Sequence, residues 1–343
     1  LEGLDARNVA KFYRRMCGAA DIYRDFCEHK PERDVDGLRD ELEVFSPEAT
    51  LLCQPLSNYD LAIISRDDAI IPAANQWRAW LGTPTVFIDA PHLADMQRII
   101  DHFILDKQRV GQRFATGLKS YEHEAGVQAQ VVERMASMMT QSGIDCRMAT
   151  SGCRVLEIGS GTGSLTRILD NAITDGYLEM WDLAGEPCVS GLRRCFKQVD
   201  AETEIVNVPT GSFDVIASAS TIQWFNSPGR FLRQCRRVLV PGGYVVLSSF
   251  LAGNLAEVSE ATGRSLPLMT LPQWQMTIPR DFEIVDSAAW NVTLDFDSAI
   301  DVFRHLKATG VNALGRTSRG ESNLHDILGR YRPALDGRFH ITY

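Results

Sequence analysis

No apolar run in this chain approaches the ~20 residues that a membrane-spanning helix needs. No CxxC pair occurs among the eight cysteines, at 17, 27, 53, 146, 153, 188, 195 and 235, so neither a zinc site nor a disulfide framework is indicated. Scattered thiols of this kind fit a reduced, cytoplasmic setting. An excess of positive charge is also missing. With 35 Lys and Arg against 44 Asp and Glu, the net charge of −9 argues against nonspecific nucleic-acid binding. An acidic partner would need a local basic patch. Candidates are Arg193/Arg194/Lys197, Arg233/Arg236/Arg237 and Arg304/His305/Lys307, each of which reads first as a solvated helix face. The start, Leu1-Glu2-Gly3-Leu4-Asp5, lacks the basic residues and apolar stretch of a signal peptide, and its missing Met reads as a fragment. Repeats and low-complexity tracts are absent. What remains, 343 residues with 45% hydrophobic and 23% charged, suits one large α/β domain plus a smaller one.

The chain reads as two segments, 1–104 and 107–343, with Phe103–Arg113 as the junction. In the first, helical patterning over Val9–Glu28 and Asp34–Leu42 precedes a strand at Asp60–Ser65. A helix over Pro72–Leu81 and a strand at Thr85–Asp89 follow, an alternation that implies parallel pairing. The second opens with a helix at Val127–Met139 and strands at Arg154–Ile158, Tyr177–Asp182 and Phe213–Ser218. A helix at Pro228–Val240 runs into the turn Pro241-Gly242-Gly243 and a strand at Tyr244–Phe250. Phe282–Leu294 and Arg338–Tyr343 read as the last two strands.

The densest chemical signal is Val155-Leu156-Glu157-Ile158-Gly159-Ser160-Gly161-Thr162-Gly163-Ser164-Leu165: a buried strand, a glycine loop and a helix start. Glycines at 159, 161 and 163 permit positive φ and close approach of backbone to a ligand. Dinucleotide folds use a related loop, so the glycines alone decide little. Glu157 discriminates. A carboxylate at the end of this strand accepts a hydrogen bond from a cofactor amino group, which suits the cationic amino-acid end of S-adenosylmethionine better than a nicotinamide. Asp182, ending the second strand, can take both ribose hydroxyls, or else cap the segment that follows. Asp200-Ala201-Glu202 falls where the chain returns toward the adenine, or is a solvated turn. Ser218-Ala219-Ser220-Thr221-Ile222-Gln223-Trp224-Phe225 leaves its strand where it would line the cleft beside the methyl donor, or buries Trp224 under the next helix. The expected cofactor set is Glu157, Gly159, Ser160, Gly161, Gly163, Asp182, Leu183, Asp200, Ala201, Ser218 and Gln223.

Five stretches of the second segment resemble the malonyl-acyl-carrier-protein O-methyltransferases, the BioC type of biotin biosynthesis. They are Arg113-Phe114 through Tyr121–Gln128, the glycine loop, Ser220–Trp224, Pro241–Leu255 and Phe303–Gly315. The last, with Arg304-His305-Leu306-Lys307, is the most family-specific. The resemblance implies a seven-stranded, Rossmann-like class I sheet and S-adenosylmethionine as cofactor. It also implies esterification of the free carboxyl of malonyl-acyl-carrier protein or malonyl-coenzyme A. Tyr121 and His123 would then cap the site, and Arg304 would pair with the carboxylate or with carrier phosphate. A carboxylate acceptor is ionised at neutral pH, so the reaction asks for alignment and exclusion of water rather than a general base.

The first segment resembles BioG-type pimeloyl-acyl-carrier-protein methyl ester esterases, which are α/β-hydrolases. The resemblance rests on Phe12–Gly18, Ile64–Pro72 with Asn75-Gln76, and Ala90-Pro91-His92. The triad order of that fold is Ser, Asp, His, and Asp68 and His92 match the last two places. No GxSxG precedes Asp68, and Ser46, Ser57 and Ser65 lack the elbow context. The expectation is the C-terminal part of a hydrolase without its nucleophile, fused to a methyltransferase.

Overall fold

The computed structural model describes residues 5, 8–29, 34–43, 62–80, 85–94, 99, 104–185, 189, 191–263, 266–309 and 324–343. The chain divides into two compact units, Leu1–Ile99 and Ile100–Tyr343.

In the first unit, the helical patterning over Val9–Glu28 is present as two helices, Val9–Cys17 and Ala20–His29. The break is at Gly18, whose φ of +72° is left-handed and whose missing Cβ leaves room for Pro91. Strands β1 (Ala62–Ser65) and β2 (Thr85–Ile88) pair in parallel, Ala62 opposite Thr85, and the helix Ala73–Ala79 lies between them in sequence. The expected strand-helix-strand order is present.

The second unit is built on a five-stranded parallel sheet. Its strands are β3 (Arg154–Ile158), β4 (Tyr177–Asp182), β5 (Arg194–Gln198), β6 (Phe213–Ser218) and β7 (Leu239–Leu247), in the spatial order β5-β4-β3-β6-β7. Central strands β3 and β6 are almost wholly buried because helices cover both faces. One layer contains the helix Gly126–Gln141, whose Val127, Val131, Val132, Met135 and Met139 recur at helical spacing and are buried. The opposite layer contains the helix Pro228–Val238, with Pro228 in its first turn and Phe231, Leu232, Cys235 and Val238 turned inward. Burying each such side chain stabilises the fold by roughly 1.5–3 kcal/mol.

Three expectations need correction. The sheet has five strands among the described residues, not seven. The strand expected over Arg338–Tyr343 is present as β9 (Phe339–Thr342), but in place of the one expected over Phe282–Leu294 there is only β8 (Thr293–Phe296), and the two pair antiparallel as a separate ribbon. Residues 283–292 carry no regular structure because Ile284 and Val285 are turned out to solvent instead of into a core. Secondly, Arg193, Arg194 and Lys197 are not a helix face. They flank and form edge strand β5, where they pair with Asp175, Asp170 and Glu179. Thirdly, Leu239 already pairs with Phe213, and the next registered pair is Tyr244 with Val215, so Val240–Gly243 bulge within β7.

Candidate active site

The strand order reverses between β3 and β6, and the loops leaving these strands open a crevice at their carboxyl ends. A cavity of about 410 Å³ lies there. Its floor is the glycine loop. Gly159 (φ +74°) donates its N–H to the Trp181 carbonyl at 2.7 Å, and a Cβ at this position would overlap the side chain of Thr221. Gly161 (φ +52°) is different: a Cβ there would meet no protein atom within 4 Å, because the space above it belongs to the cavity.

Asp182 holds this loop in place. Its Oδ2 accepts the Gly161 N–H at 2.7 Å and its Oδ1 accepts the Ala184 N–H at 2.8 Å. Burial raises its pKa, opposed by backbone N–H groups of Ala184, Gly161 and Leu183. With three backbone donors on it, the carboxylate still has one of its roughly four acceptor sites for a ligand.

Glu157 is 1% exposed. The Thr166 hydroxyl donates to its Oε2 at 2.6 Å, while Oε1 is buried with no partner. Burial pushes its pKa up to about 8, the Thr166 hydrogen bond opposing and the nearby Asp182 charge adding to the rise. Ser160 Oγ, in the same wall, is also buried without a partner.

At the other end Asp200 caps the short helix Ala201–Glu204, accepting the Glu202 N–H at 3.1 Å. Lys107 Nζ lies 2.6 Å from Glu202 Oε2 and 3.8 Å from Asp200 Oδ1, and sits over the Phe225 ring at 4.5 Å. Glu202 also accepts the N–H groups of Asn226 and Ser227, so it fastens a loop instead of facing a ligand. Phe114 and Trp224 close the top, ring edge to ring face, 5.3 Å between centroids.

Eight of the residues expected at the cofactor line this cavity: Glu157, Gly159, Ser160, Gly161, Asp182, Leu183, Asp200 and Ala201. Three do not. Gly163 turns the chain into the helix Ser164–Ala172. Ser218 is 1% exposed and donates to the Ile158 carbonyl at 2.9 Å, clamping β6 to β3. Gln223 lines a second, smaller cavity next door. Arg304 faces solvent and pairs with Asp301 at 2.7 Å, one helical turn away, and lines neither cavity. Its neighbour His305 is the buried one, its Nε2 3.1 Å from the Tyr343 hydroxyl. Tyr121 and His123 fall on the helix Lys107–Glu124, their side chains outside the described residues. Sequence reasoning missed Lys107, Val110 and Phe114. Their spacing of three and four is the helical signal that marks them; Lys107 and Val110 fall in the stretch read as a junction, and Phe114 in a stretch read only for its family resemblance.

Comparison with known proteins decides the family. The methyltransferase domain model matches residues 156–247, from β3 to the end of β7. The malonyl-[acyl-carrier protein] O-methyltransferase of Bacteroides fragilis is 30% identical over 353 residues, spanning 100% of this chain and 71% of that protein. The enzyme of that name from Haemophilus influenzae is 32% identical over 244 residues, 70% of this chain and 92% of its own length. This chain belongs to the malonyl-[acyl-carrier protein] O-methyltransferase family. The match to the Bacteroides fragilis enzyme runs through both units, whereas the Haemophilus influenzae enzyme aligns with 70% of the chain.

The cofactor of this family member is S-adenosylmethionine, and the residues present fit it. The orphaned, buried Oε1 of Glu157 suits a cationic ammonium, and the open space over Gly161 suits a ligand backbone lying against the loop. Among the described residues, no helix is long and apolar enough to cross a membrane.

A second constellation lies in the first unit. Asp68 Oδ2 is 2.9 Å from His92 Nδ1, and its Oδ1 accepts the N–H groups of Ile70 and Ile71, both at 2.8 Å. Gln76 adds a further bond to Oδ2 at 3.0 Å. The two residues that sequence order singled out do meet. Ser65 spends its hydroxyl on the Ala90 carbonyl, and Ser46 and Ser57 lie outside the described residues. Among the described residues, no hydroxyl or thiol hydrogen-bonds to His92.

Proposed function

We propose that the second unit methylates the free carboxylate of a malonyl thioester carried on acyl-carrier protein, the esterification that primes pimeloyl chain synthesis for biotin. The observation that carries this reading is the cavity at the β3–β6 switch point, lined by Glu157 with its partnerless Oε1 and by the Phe114–Trp224 ring pair. S-adenosylmethionine, when bound, supplies an electrophilic methyl group on a sulfonium. The chain's own residues bind, orient and desolvate. Glu157, ionised against an ammonium, anchors the amino-acid end, and Asp182 and Asp200 take hydroxyl and amine donors farther along. Phe114 and Trp224 exclude water around the transferring carbon. No proton needs moving, because a carboxylate is a competent nucleophile at neutral pH, so alignment and desolvation carry the rate. Malonyl-acyl-carrier protein is the expected partner, with malonyl-coenzyme A as the competing form and the cytoplasm as the setting. Steady-state kinetics with both thioesters tests this. A kcat/KM for the carrier-bound form above that for the coenzyme A form supports the reading, and methylation of neither overturns it.

The Asp68–His92 hydrogen bond supports a second reading for the first unit, as the acid–base half of an α/β-hydrolase related to the pimeloyl-carrier methyl ester esterases. A base oriented by an aspartate does no ester chemistry without a nucleophile on its other nitrogen. Incubation of the chain with a pimeloyl-carrier methyl ester tests this reading. Measurable hydrolysis by the chain, lost in His92→Ala, would show that a nucleophile is present.

A further inference from the structure

Lys107 opens the helix Lys107–Glu124 and lines the main cavity together with Asp200 and Ala201. Its Nζ is 2.6 Å from Glu202 Oε2, 3.8 Å from Asp200 Oδ1 and 4.5 Å from the centre of the Phe225 ring. The ion pair is withdrawn from water, with the Lys107 side chain 16% exposed and that of Glu202 12%. Two residues earlier, Asn226 grips the backbone of Leu105. Its Oδ1 accepts the Leu105 N–H at 2.6 Å, and its Nδ2 donates to the Leu105 carbonyl at 3.1 Å. Asn226 is in turn held by Glu202, which accepts its N–H at 2.9 Å and that of Ser227 at 2.6 Å. Lys107, Asn226 and Ser227 therefore converge on one carboxylate. Leu105 and Val110 also pack with Trp224 in a small buried cluster, so the helix is seated by apolar contact as well as by charge.

Asp200 stands differently toward the cation. A separation of 3.8 Å is too long for a hydrogen bond, and its Oδ1 already accepts the Glu202 N–H at 3.1 Å. Lys107 therefore acts on Asp200 through charge. Two carboxylates on one short turn repel each other, and a shared cation offsets that repulsion, the more so where water is scarce. We propose that Lys107 is the positioning residue for the nucleoside end of the cofactor. Its charge holds Asp200 beside Glu202, so that the Asp200 carboxylate is placed to accept the exocyclic amine of adenine. The assignment rests on the reading of Asp200 as an amine acceptor given above. It makes Lys107 a determinant of base specificity. An ion pair that only braced the fold would weaken every ligand of the cavity alike when broken. A positioning cation matters most to a ligand that donates a hydrogen to Asp200.

Calorimetry on the full chain with S-adenosylhomocysteine and S-inosylhomocysteine tests this without turnover. The inosine base carries a carbonyl oxygen where adenine carries its amine, so it offers Asp200 no hydrogen there. Wild type should prefer S-adenosylhomocysteine by about tenfold or more. Lys107→Met should narrow that preference to about threefold or less, mainly by weakening S-adenosylhomocysteine, while Lys107→Arg keeps most of it. Adding Glu202→Gln to Lys107→Met removes the uncompensated charge beside Asp200. The double variant should bind S-adenosylhomocysteine more tightly than Lys107→Met alone, the reverse of additive structural damage. Far-UV circular dichroism certifies the fold, and if Lys107→Met does not fold, the double variant set against Glu202→Gln makes the same comparison of base preference. A wild-type adenine preference in Lys107→Met overturns the proposal and leaves the Asp200 reading standing, as does a double variant that binds no better than Lys107→Met. Wild type that binds both ligands equally removes Asp200 as the amine's acceptor, and the role of Lys107 falls with it.

Discussion

Replacing Glu157 with Gln should make the ligand-free protein more stable and the cofactor complex weaker. The buried carboxyl has its pKa raised from the ordinary 4.5 to about 8. Its native form therefore holds a proton that the unfolded chain has already released across that interval. Stability from this group is full below 4.5 and is lost as pH rises toward 8. At about 1.4 kcal/mol per pH unit the whole interval is worth roughly 5 kcal/mol, and by pH 7 about 3 kcal/mol has gone. Gln preserves the shape and can still accept from Thr166, but never ionises. Urea unfolding at pH 5, 6, 7 and 8 should show wild type losing stability steeply while Glu157→Gln stays nearly flat. Calorimetry with S-adenosylhomocysteine should show the reverse preference. A cationic ammonium favours ionised Glu157, so wild type should release close to one proton on binding at pH 7, and the variant none. Parallel stability profiles, or equal affinity in both proteins, would refute the assignment of Glu157 as the buried ammonium partner.

Gly159→Ala should lower affinity for S-adenosylhomocysteine at least tenfold and reduce the melting temperature, because the new Cβ overlaps Thr221. Gly161→Ala, which meets no protein atom, should cost only the left-handed penalty of roughly 1–2 kcal/mol in stability yet still impair binding. A pair of thermal shifts with and without ligand separates the two. Asp214 is 10% exposed, lies 2.5 Å from Arg147 Nη2 and accepts the Arg154 backbone N–H at 2.9 Å. Asp214→Ala should destabilise the second unit by about 3 kcal/mol in urea unfolding without changing cofactor affinity. Leu169→Ala, at a fully buried site in the sheet core, should cost about 3 kcal/mol in the same assay.

The legible parts of the fold are those where burial dictates residue type. Strands β3, β4 and β6 are short apolar runs because both their faces are covered, and the glycine loop is marked because only glycine tolerates its φ values so cheaply. Edge strand β5 was opaque. Arg194-Cys195-Phe196-Lys197-Gln198 carries two cations that are neutralised by acids distant in sequence, Asp170 and Glu179, and no local pattern announces such partners. Arg304 drew attention through its charge. Adjacent helical residues point about 100° apart, so a solvent-facing Arg304 goes with a buried His305, and the tertiary contact with Tyr343 decides which one matters.

Intact-mass analysis of malonyl-acyl-carrier protein after incubation with S-adenosylmethionine and the chain tests the central claim most directly, with acetyl-acyl-carrier protein as the control. Addition of one methyl group to the malonyl form, removable by mild alkali, and none to the acetyl form is the outcome expected of a carboxyl methyltransferase. Methylation of both carriers, or of neither while S-adenosylhomocysteine still binds, would contradict it.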